Sequence, residues 1–155
     1  MRIMTLTYQS EIGPLTLIEN HGAITQCRFA EALPKAEEGP VSPLLQEASR
    51  QIGEYFQGQR NVFELPLAPV GTAFQEKVWA ALQNIPYGET WSYQQLAESI
   101  GKPQASRAVG SANAKNPLWI LIPCHRVIHA SGDLGGYAGG LDVKAKLLNL
   151  EKKWR

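Results

Sequence analysis

The stretch Ser92-Tyr-Gln-Gln-Leu-Ala-Glu-Ser-Ile-Gly101-Lys-Pro103-Gln-Ala-Ser-Arg-Ala-Val-Gly-Ser-Ala-Asn-Ala114 reads as two short helices around a glycine-containing turn. Ser92 followed three residues later by Gln95 is a capping-box pattern, in which each side chain satisfies a backbone N–H at the helix start. Tyr93, Leu96, Ala97 and Ile100 follow at helical spacing, and Gly101 stands where a left-handed C-terminal cap belongs. Pro103 can open the second helix, which runs to about Ala114. Helix, turn and helix is the arrangement of a helix-turn-helix, whose second helix enters a nucleic-acid groove. Spacing alone fits a plain helical hairpin equally well.

Upstream, Thr72 and Gln75 repeat the capping box ahead of Phe74, Val78, Ala81, Leu82 and Ile85 on one face, and Pro86-Tyr-Gly88 ends that helix. Downstream, the apolar run Trp119-Ile-Leu-Ile122 predicts a buried strand delivering Pro123-Cys124-His125-Arg126-Val127. This places a nucleophile beside a titratable base. The thiolate is the reactive form of cysteine, and an adjacent imidazole that takes its proton makes one near neutral pH. An arbitrary Cys-His pair is more often a small core hydrophobe next to a surface residue. Val143, Leu147, Leu150 and Trp154 then give a closing helix one apolar face, with Lys144, Lys146, Lys152 and Lys153 largely elsewhere.

Toward the N-terminus, residues 3–8, 14–19 and 23–29 are rich in Thr, Ile, Leu and Phe and separated by Gly13-Pro14 and Asn20-His-Gly22, predicting a three-stranded meander. Leu33 to Pro43 reads as a loop. Leu45, Ala48, Ile52 and Tyr55/Phe56 predict one amphipathic helix ending near Gly58. Leu65 to Gly71, with Pro66 and Pro69, reads as a linker, so the domains expected are 1–65 (small α/β) and 70–155 (mainly helical).

With 155 residues, 44% hydrophobic and 19% charged, the chain can bury a core. The net charge of +1 hides an asymmetry: residues 1–69 hold 5 Lys/Arg against 8 Asp/Glu, whereas residues 70–155 hold 10 against 6. The basic half carries the motifs, as suits a phosphate-backbone partner. Cys27 and Cys124 lie in no close Cys/His spacing, so no metal site is expected. A disulfide between them would quench the nucleophile, Cys27 reads as a buried structural thiol, and no run approaches the ~20 apolar residues of a membrane span. Neither a leader segment nor a membrane anchor is expected, and the compartment these features favour is the cytoplasm.

Ile122-Pro-Cys-His-Arg-Val-Ile128 resembles the active-site motif of the O6-alkylguanine-DNA alkyltransferases, the methylated-DNA–protein-cysteine methyltransferases. Ser92-Tyr-Gln-Gln-Leu-Ala97, Ser106-Arg-Ala-Val-Gly110, Asn116-Pro117, Gly136-Tyr-Ala-Gly-Gly140 and Lys144 to Glu151 extend the resemblance in family order over most of Gly71 to Glu151. The resemblance implies an α/β class fold: a ribonuclease-H-like N-terminal α/β domain without nuclease residues, plus a helical C-terminal domain with a winged helix-turn-helix docked in the minor groove. It implies direct-reversal repair of double-stranded DNA, as a monomer and without a cofactor, with cooperativity along DNA left open. Cys124 would accept the alkyl group from O6-alkylguanine, and O4-alkylthymine is a further candidate substrate. The thioether so formed is not cleaved by water, so one molecule repairs one base. Some family members hold a structural zinc near the N-terminus, for which only Cys27 and His21 are available here.

Residue by residue, the resemblance makes His125 the base acting through a water, Glu151 the residue that orients the imidazole, and Asn116 the brace of the active-site turn. Arg107 matches the arginine that replaces the flipped base, and Tyr93 the tyrosine that assists nucleotide rotation and donates a proton to the leaving guanine. The glycine-rich stretch 132–140 would form a lid over a base pocket that includes Tyr137, Ala138 and Val127. Ala138 stands where some relatives have serine. Gln75, Gln94, Lys102 and Lys115 are candidate DNA backbone contacts. Two other readings are a non-catalytic alkyltransferase-like lesion sensor, whose relatives lack the acceptor cysteine, and a cysteine hydrolase, which would turn over repeatedly.

Overall fold

Turn chemistry builds the first unit. The structure is a computed structural model that describes residues 3–29 and 41–155. Strands β1 (Ile3–Ser10), β2 (Gly13–Asn20) and β3 (Ala23–Phe29) form an antiparallel sheet in the order β1-β2-β3. His21 and Gly22, both at positive φ (53° and 77°), make the two-residue β2–β3 connection, a backbone that matches the twist of the paired strands. One sheet face buries Leu15, Leu17, Ile24 and Cys27, and helix α1 (Pro43–Phe56) supplies Leu45, Ala48, Ile52 and Tyr55, all with no exposure. Burial pushes the Cys27 thiol up to about 12, so it is an inert core group. The helix begins at Pro43, the predicted end of the loop, because the Ser42 side chain accepts from Leu45 N and proline is tolerated in the first turn. The rest of that loop, 33–40, lies outside the described residues.

The segment read as a linker is partly structured. Ile24 N donates to Pro66 O and Ala68 N to Ile24 O (both 2.9 Å), a parallel bridge between Ile24 and Leu67. Two prolines remove donors from this segment, but the pairing needs only a proline carbonyl and the alanine N–H. The chain divides into the units Met1–Pro69 and Val70–Arg155.

In the second unit, α2 (Ala73–Leu82) and α3 (Tyr93–Ser99) each begin with a complete capping box, from Thr72/Gln75 and Ser92/Gln95. Gly101 (φ +75°) ends α3, with Gly101 N bonded to Glu98 O and Lys102 N to Ala97 O, the double closure that a left-handed residue permits. Helix α4 (Ser106–Ala114) starts three residues later than Pro103 suggested, because Pro103 lies in a turn closed by Ala105 N donating to Lys102 O. Gln94 fixes this junction, donating to Pro103 O (2.7 Å) and accepting from Ser106 Oγ (2.7 Å). Helix α2 is locked to α4 by the Trp79 indole donating to Ala112 O (2.9 Å). Short strands β4 (Trp91–Ser92) and β5 (Val127–Ile128) pair in parallel, and α5 (Leu141–Trp154) closes the unit.

Two expectations are corrected. Trp119–Ile122 is not a strand but a tight buried turn: Ile122 N bonds to Leu118 O, Leu121 N to Trp119 O, and Ile120 takes φ +71°. An apolar run is compatible with any buried backbone whose polar groups are satisfied locally. The buried positions of α5 are Lys144, Leu147 and Glu151, whereas Trp154 is 46% exposed. Its inward stripe is therefore rotated from the apolar one, because the two charged side chains have partners inside. Among the described residues no helix is long and apolar enough to cross a membrane, and no cluster of three metal-ligating side chains occurs.

Candidate active site

One side chain shapes the turn that leads to the cysteine. Asn116, with no exposure, donates through Nδ2 to Leu118 O (3.2 Å) and Ile122 O (2.9 Å) and accepts at Oδ1 from Leu118 N (3.0 Å). These bonds satisfy backbone groups that a buried turn leaves without ladder partners. Pro123 then enters a single 3-10 turn, Cys124–Arg126, before β5. Cys124 is 4% exposed, and its carbonyl accepts from Asn113 Nδ2 on α4 (3.3 Å).

His125 is fully buried, and its Nε2 lies 2.6 Å from Glu151 Oε2. Arg126 grips the same carboxylate on both oxygens, Nε to Oε1 at 2.8 Å and NH2 to Oε2 at 3.0 Å, and NH1 reaches Ile85 O at 2.7 Å. Gly88 N adds a further donor to Oε1 (3.2 Å). Burial alone would raise the Glu151 carboxyl, but its hydrogen bonds and charge pairing with His125 and Arg126 overcome this and hold it well below the usual range. Burial lowers His125, and the charges of Arg126 and Lys144 reinforce that against the pull of Glu151. The consistent state is a carboxylate accepting Nε2–H from a neutral imidazole. Nδ1 then carries the lone pair, and it has no hydrogen-bond partner among the described residues.

Lys144 is the second charged group brought inside. Its Nζ donates to Val127 O (2.6 Å), to Gly136 O (3.2 Å) and, at short range, to Leu134 O, tying the glycine-rich loop to β5. Burial pulls its ammonium down to about 8. The loop also seats on Tyr93: at Gly135 (φ +73°) a Cβ would stand 2.6 Å from the Tyr93 hydroxyl, so only glycine allows this approach. Burial raises the Tyr93 hydroxyl above the ordinary tyrosine range and keeps it a proton carrier. Its ring packs 5.1 Å from that of His129.

A cleft of about 750 Å³ opens beside this centre, walled by Tyr93, Arg107, Gly110, Asn113, Tyr137 and Ala138 among others. It meets Cys124 through Asn113. The structure therefore gathers Cys124, His125, Glu151 and Asn116 in one buried knot, and Tyr93, Tyr137, Ala138 and the exposed Arg107 around the adjoining cleft. Val127 does not line it: the side chain is fully buried and only the carbonyl, held by Lys144, faces this network. Lys102 and Lys115 are exposed on the helix-turn-helix. The side-chain oxygen of Gln75 accepts from Thr72 N (3.0 Å), and Gln94 is engaged on both ends, so neither amide is wholly available to an outside partner. Sequence reading did not single out Arg126, Lys144 or Asn113. Lys144 was placed off the apolar face of its helix, charged and polar side chains being mostly exposed, and only the neighbourhood of all three within the matching motifs could have pointed to them.

Comparisons with known proteins identify the family. Residues 73–153 match the DNA-binding domain of 6-O-methylguanine DNA methyltransferase, and residues 3–69 match its ribonuclease-like domain. The chain is 48% identical over 149 residues to the methylated-DNA–protein-cysteine methyltransferase of Methanosarcina acetivorans, covering 93% of this chain and 95% of that protein. It is 44% identical over 154 residues to the constitutive enzyme of that name from Bacillus subtilis, covering 94% and 93%. The Mycobacterium tuberculosis O6-methylguanine methyltransferase structure superposes with a TM-score of 0.89 at 44% identity, covering 99% of this chain and 95% of that one. The M. tuberculosis OGT crystallised with DNA gives 0.88 at 46%, covering 99% and 94%. With both halves matched in order and close relatives along nearly the whole length, the chain belongs to the 6-O-methylguanine DNA methyltransferase family.

Proposed function

We propose that this protein repairs DNA by taking the alkyl group of an extruded O6-alkylguanine onto Cys124, once per molecule. The observation that carries the reading is the buried Glu151–His125 pair on the residue next to Cys124, in which Nε2 is held by the carboxylate and Nδ1 is left as the open lone pair. His125 takes the thiol proton through a bridging water, and the sulfur attacks the saturated carbon bound to O6. The S–C bond forms as the C–O6 bond breaks, with both electrons going to the base. Tyr93 delivers a proton to the leaving guanine, balancing the one taken from sulfur. Glu151, Arg126 and Asn116 position these groups and touch no substrate.

The target atom lies inside a duplex, so the nucleotide must swing out. Helix α4 carries Ser106, Ala108, Gly110, Ser111 and Ala114 with Arg107 as its one long side chain. A helix bearing small residues suits the minor groove, which at about 6 Å admits little bulk, and leaves Arg107 to enter the stack where the base was. Lys102 and Lys115 flank it as phosphate contacts. The protein works in this reading as a cytoplasmic monomer.

Intact-protein mass spectrometry after mixing with an O6-methylguanine duplex tests the proposal. One methyl group gained per protein, located on the peptide containing Cys124 and absent from Cys124→Ala, is expected. An unaltered mass, or release of many repaired duplexes per protein, would overturn it.

A further inference from the structure

Glu151 lines a second open cleft and is nevertheless only 1% exposed. This cleft, of about 500 Å³, is lined by Gly88, Ile128, Leu134, Leu148, Glu151 and Arg155 among others, and it shares no residue with the one walled by Tyr93 and Arg107. Gly88 belongs to the four-residue turn Pro86-Tyr-Gly-Glu89, closed by Glu89 N donating to Pro86 O (3.1 Å), with positive φ (+80°) at its third position as a type II turn requires. The turn serves the buried carboxylate twice. Gly88 N donates to Glu151 Oε1 (3.2 Å), and the Tyr87 ring lies 5.6 Å from the guanidinium carbon of Arg126, which grips the same carboxylate. Arg155 holds the turn from outside: its NH1 donates to Gly88 O (3.1 Å), and its stem fills the space beside Gly88, where a Cβ would stand 2.7 Å from Arg155 Cδ. Bulk at position 88 would therefore displace the arginine.

We propose that Arg155 is a positioning residue for alkyl transfer, clamping the 86–89 turn so that Gly88 N–H stays on Glu151 and water from the adjoining cleft stays off the carboxylate that orients His125. The inference rests on the alkyl-transfer reading above. Charged and titratable groups meet this pair from three sides. Glu151 is faced by His125 and Arg126 from the 124–126 turn and by Tyr87 from the clamped one, His125 also feels Lys144 from α5, and Glu89 and Lys152 share the cleft with Arg155. Burial is the chief cause that holds His125 below its usual range. Truncating Arg155 lets water in beside Glu151 and removes a positive charge, and both changes let the imidazole keep its proton at higher pH. A protonated imidazole takes no proton from the thiol.

The test compares wild type, Arg155→Ala and Arg155→Lys by two readouts against pH: the NMR titration of the His125 ring, and single-turnover methyl transfer at saturating O6-methylguanine duplex, where a difference in DNA affinity does not enter. Arg155 is exposed, so its truncation leaves the core intact. In Arg155→Ala the His125 titration and the acid limb of transfer are expected to move together toward higher pH by about half a unit, which slows transfer about threefold below the limb and little above it. Arg155→Lys, which keeps the charge, should lie between the two. Gly88→Ala, which drives the arginine off from the other side, should move both readouts in the same direction, and adding Arg155→Ala to it should move them little further. A His125 titration that coincides in wild type and Arg155→Ala would overturn the proposal, as would a loss of transfer equal at every pH. A wild type that takes no methyl group overturns the alkyl-transfer reading instead, and the ring titration, which needs no DNA, still decides whether the clamp acts on His125.

Discussion

Glu151 carries more of this site than its place near the end of the last helix suggests. Replacing it with Gln keeps its shape but leaves the buried Arg126 without a counter-charge and His125 without the acceptor that sets its tautomer. Breaking a buried pair from one side costs about 3–5 kcal/mol, and urea unfolding of Glu151→Gln should lose that much, with methyl transfer falling by about 10² or more. The pH dependence follows from the same contacts. The Glu151 carboxyl is depressed below its ordinary 4.5, so its stabilisation is complete above that value and is lost as pH falls below it. His125 is depressed below its ordinary 6.5, so the unfolded chain binds a proton before the folded one does. Stability should therefore begin to fall just below pH 6.5, before the carboxylate contributes. A wild-type urea midpoint that is flat from pH 7 to 5 would contradict this. Cys124 and His125 were legible because their motif is contiguous, and Glu151 because family resemblance reached it. Lys144 was not, since a lysine at helical spacing belongs outside unless carbonyls are waiting for it.

At the scale of elements, the capped helices were readable and the irregular ones were not. Thr72/Gln75 and Ser92/Gln95 announce α2 and α3 because a capping box is local chemistry, complete within four residues. The 119–122 turn is decided by Asn116, whose bonds reach six residues along the chain and leave no periodic trace. Asn116→Ala would strand the buried N–H of Leu118 and take the second donor from the carbonyls of Leu118 and Ile122, which keep Ile122 N and Cys124 N. At about 1–3 kcal/mol for the unsatisfied N–H, with the lost second bonds on the two carbonyls adding less, a loss of about 2–3 kcal/mol is expected by urea unfolding. Because the turn ends at Cys124, transfer should slow as well. The glycine-rich loop depends in the same way on Lys144. Lys144→Met should lose about 2–4 kcal/mol and speed amide exchange in residues 134–136, whereas unchanged exchange there would mean that the loop holds itself.

Over the whole molecule, the near-zero net charge conceals a division of labour. The acidic half holds the sheet and α1, and the basic half holds every candidate contact to DNA. Arg107, Lys102 and Lys115 lie on or beside the helix-turn-helix, but they should not behave alike. A lysine that meets only phosphate releases a counterion on binding, so Lys102→Ala or Lys115→Ala should each reduce the salt slope of affinity by about one unit and weaken binding uniformly across sequences. Arg107, if it fills the gap left by the extruded base, contributes chiefly after binding, when the nucleotide swings out. Arg107→Ala should then slow transfer from a duplex far more than from single-stranded DNA carrying the same lesion, where no stack needs to be held open. Binding titrations at several salt concentrations, paired with transfer rates on both substrates, separate the two roles. If Arg107→Ala lowers the salt slope by one unit and slows both substrates equally, the arginine is one more phosphate contact and the extruded base is held out by the cleft alone.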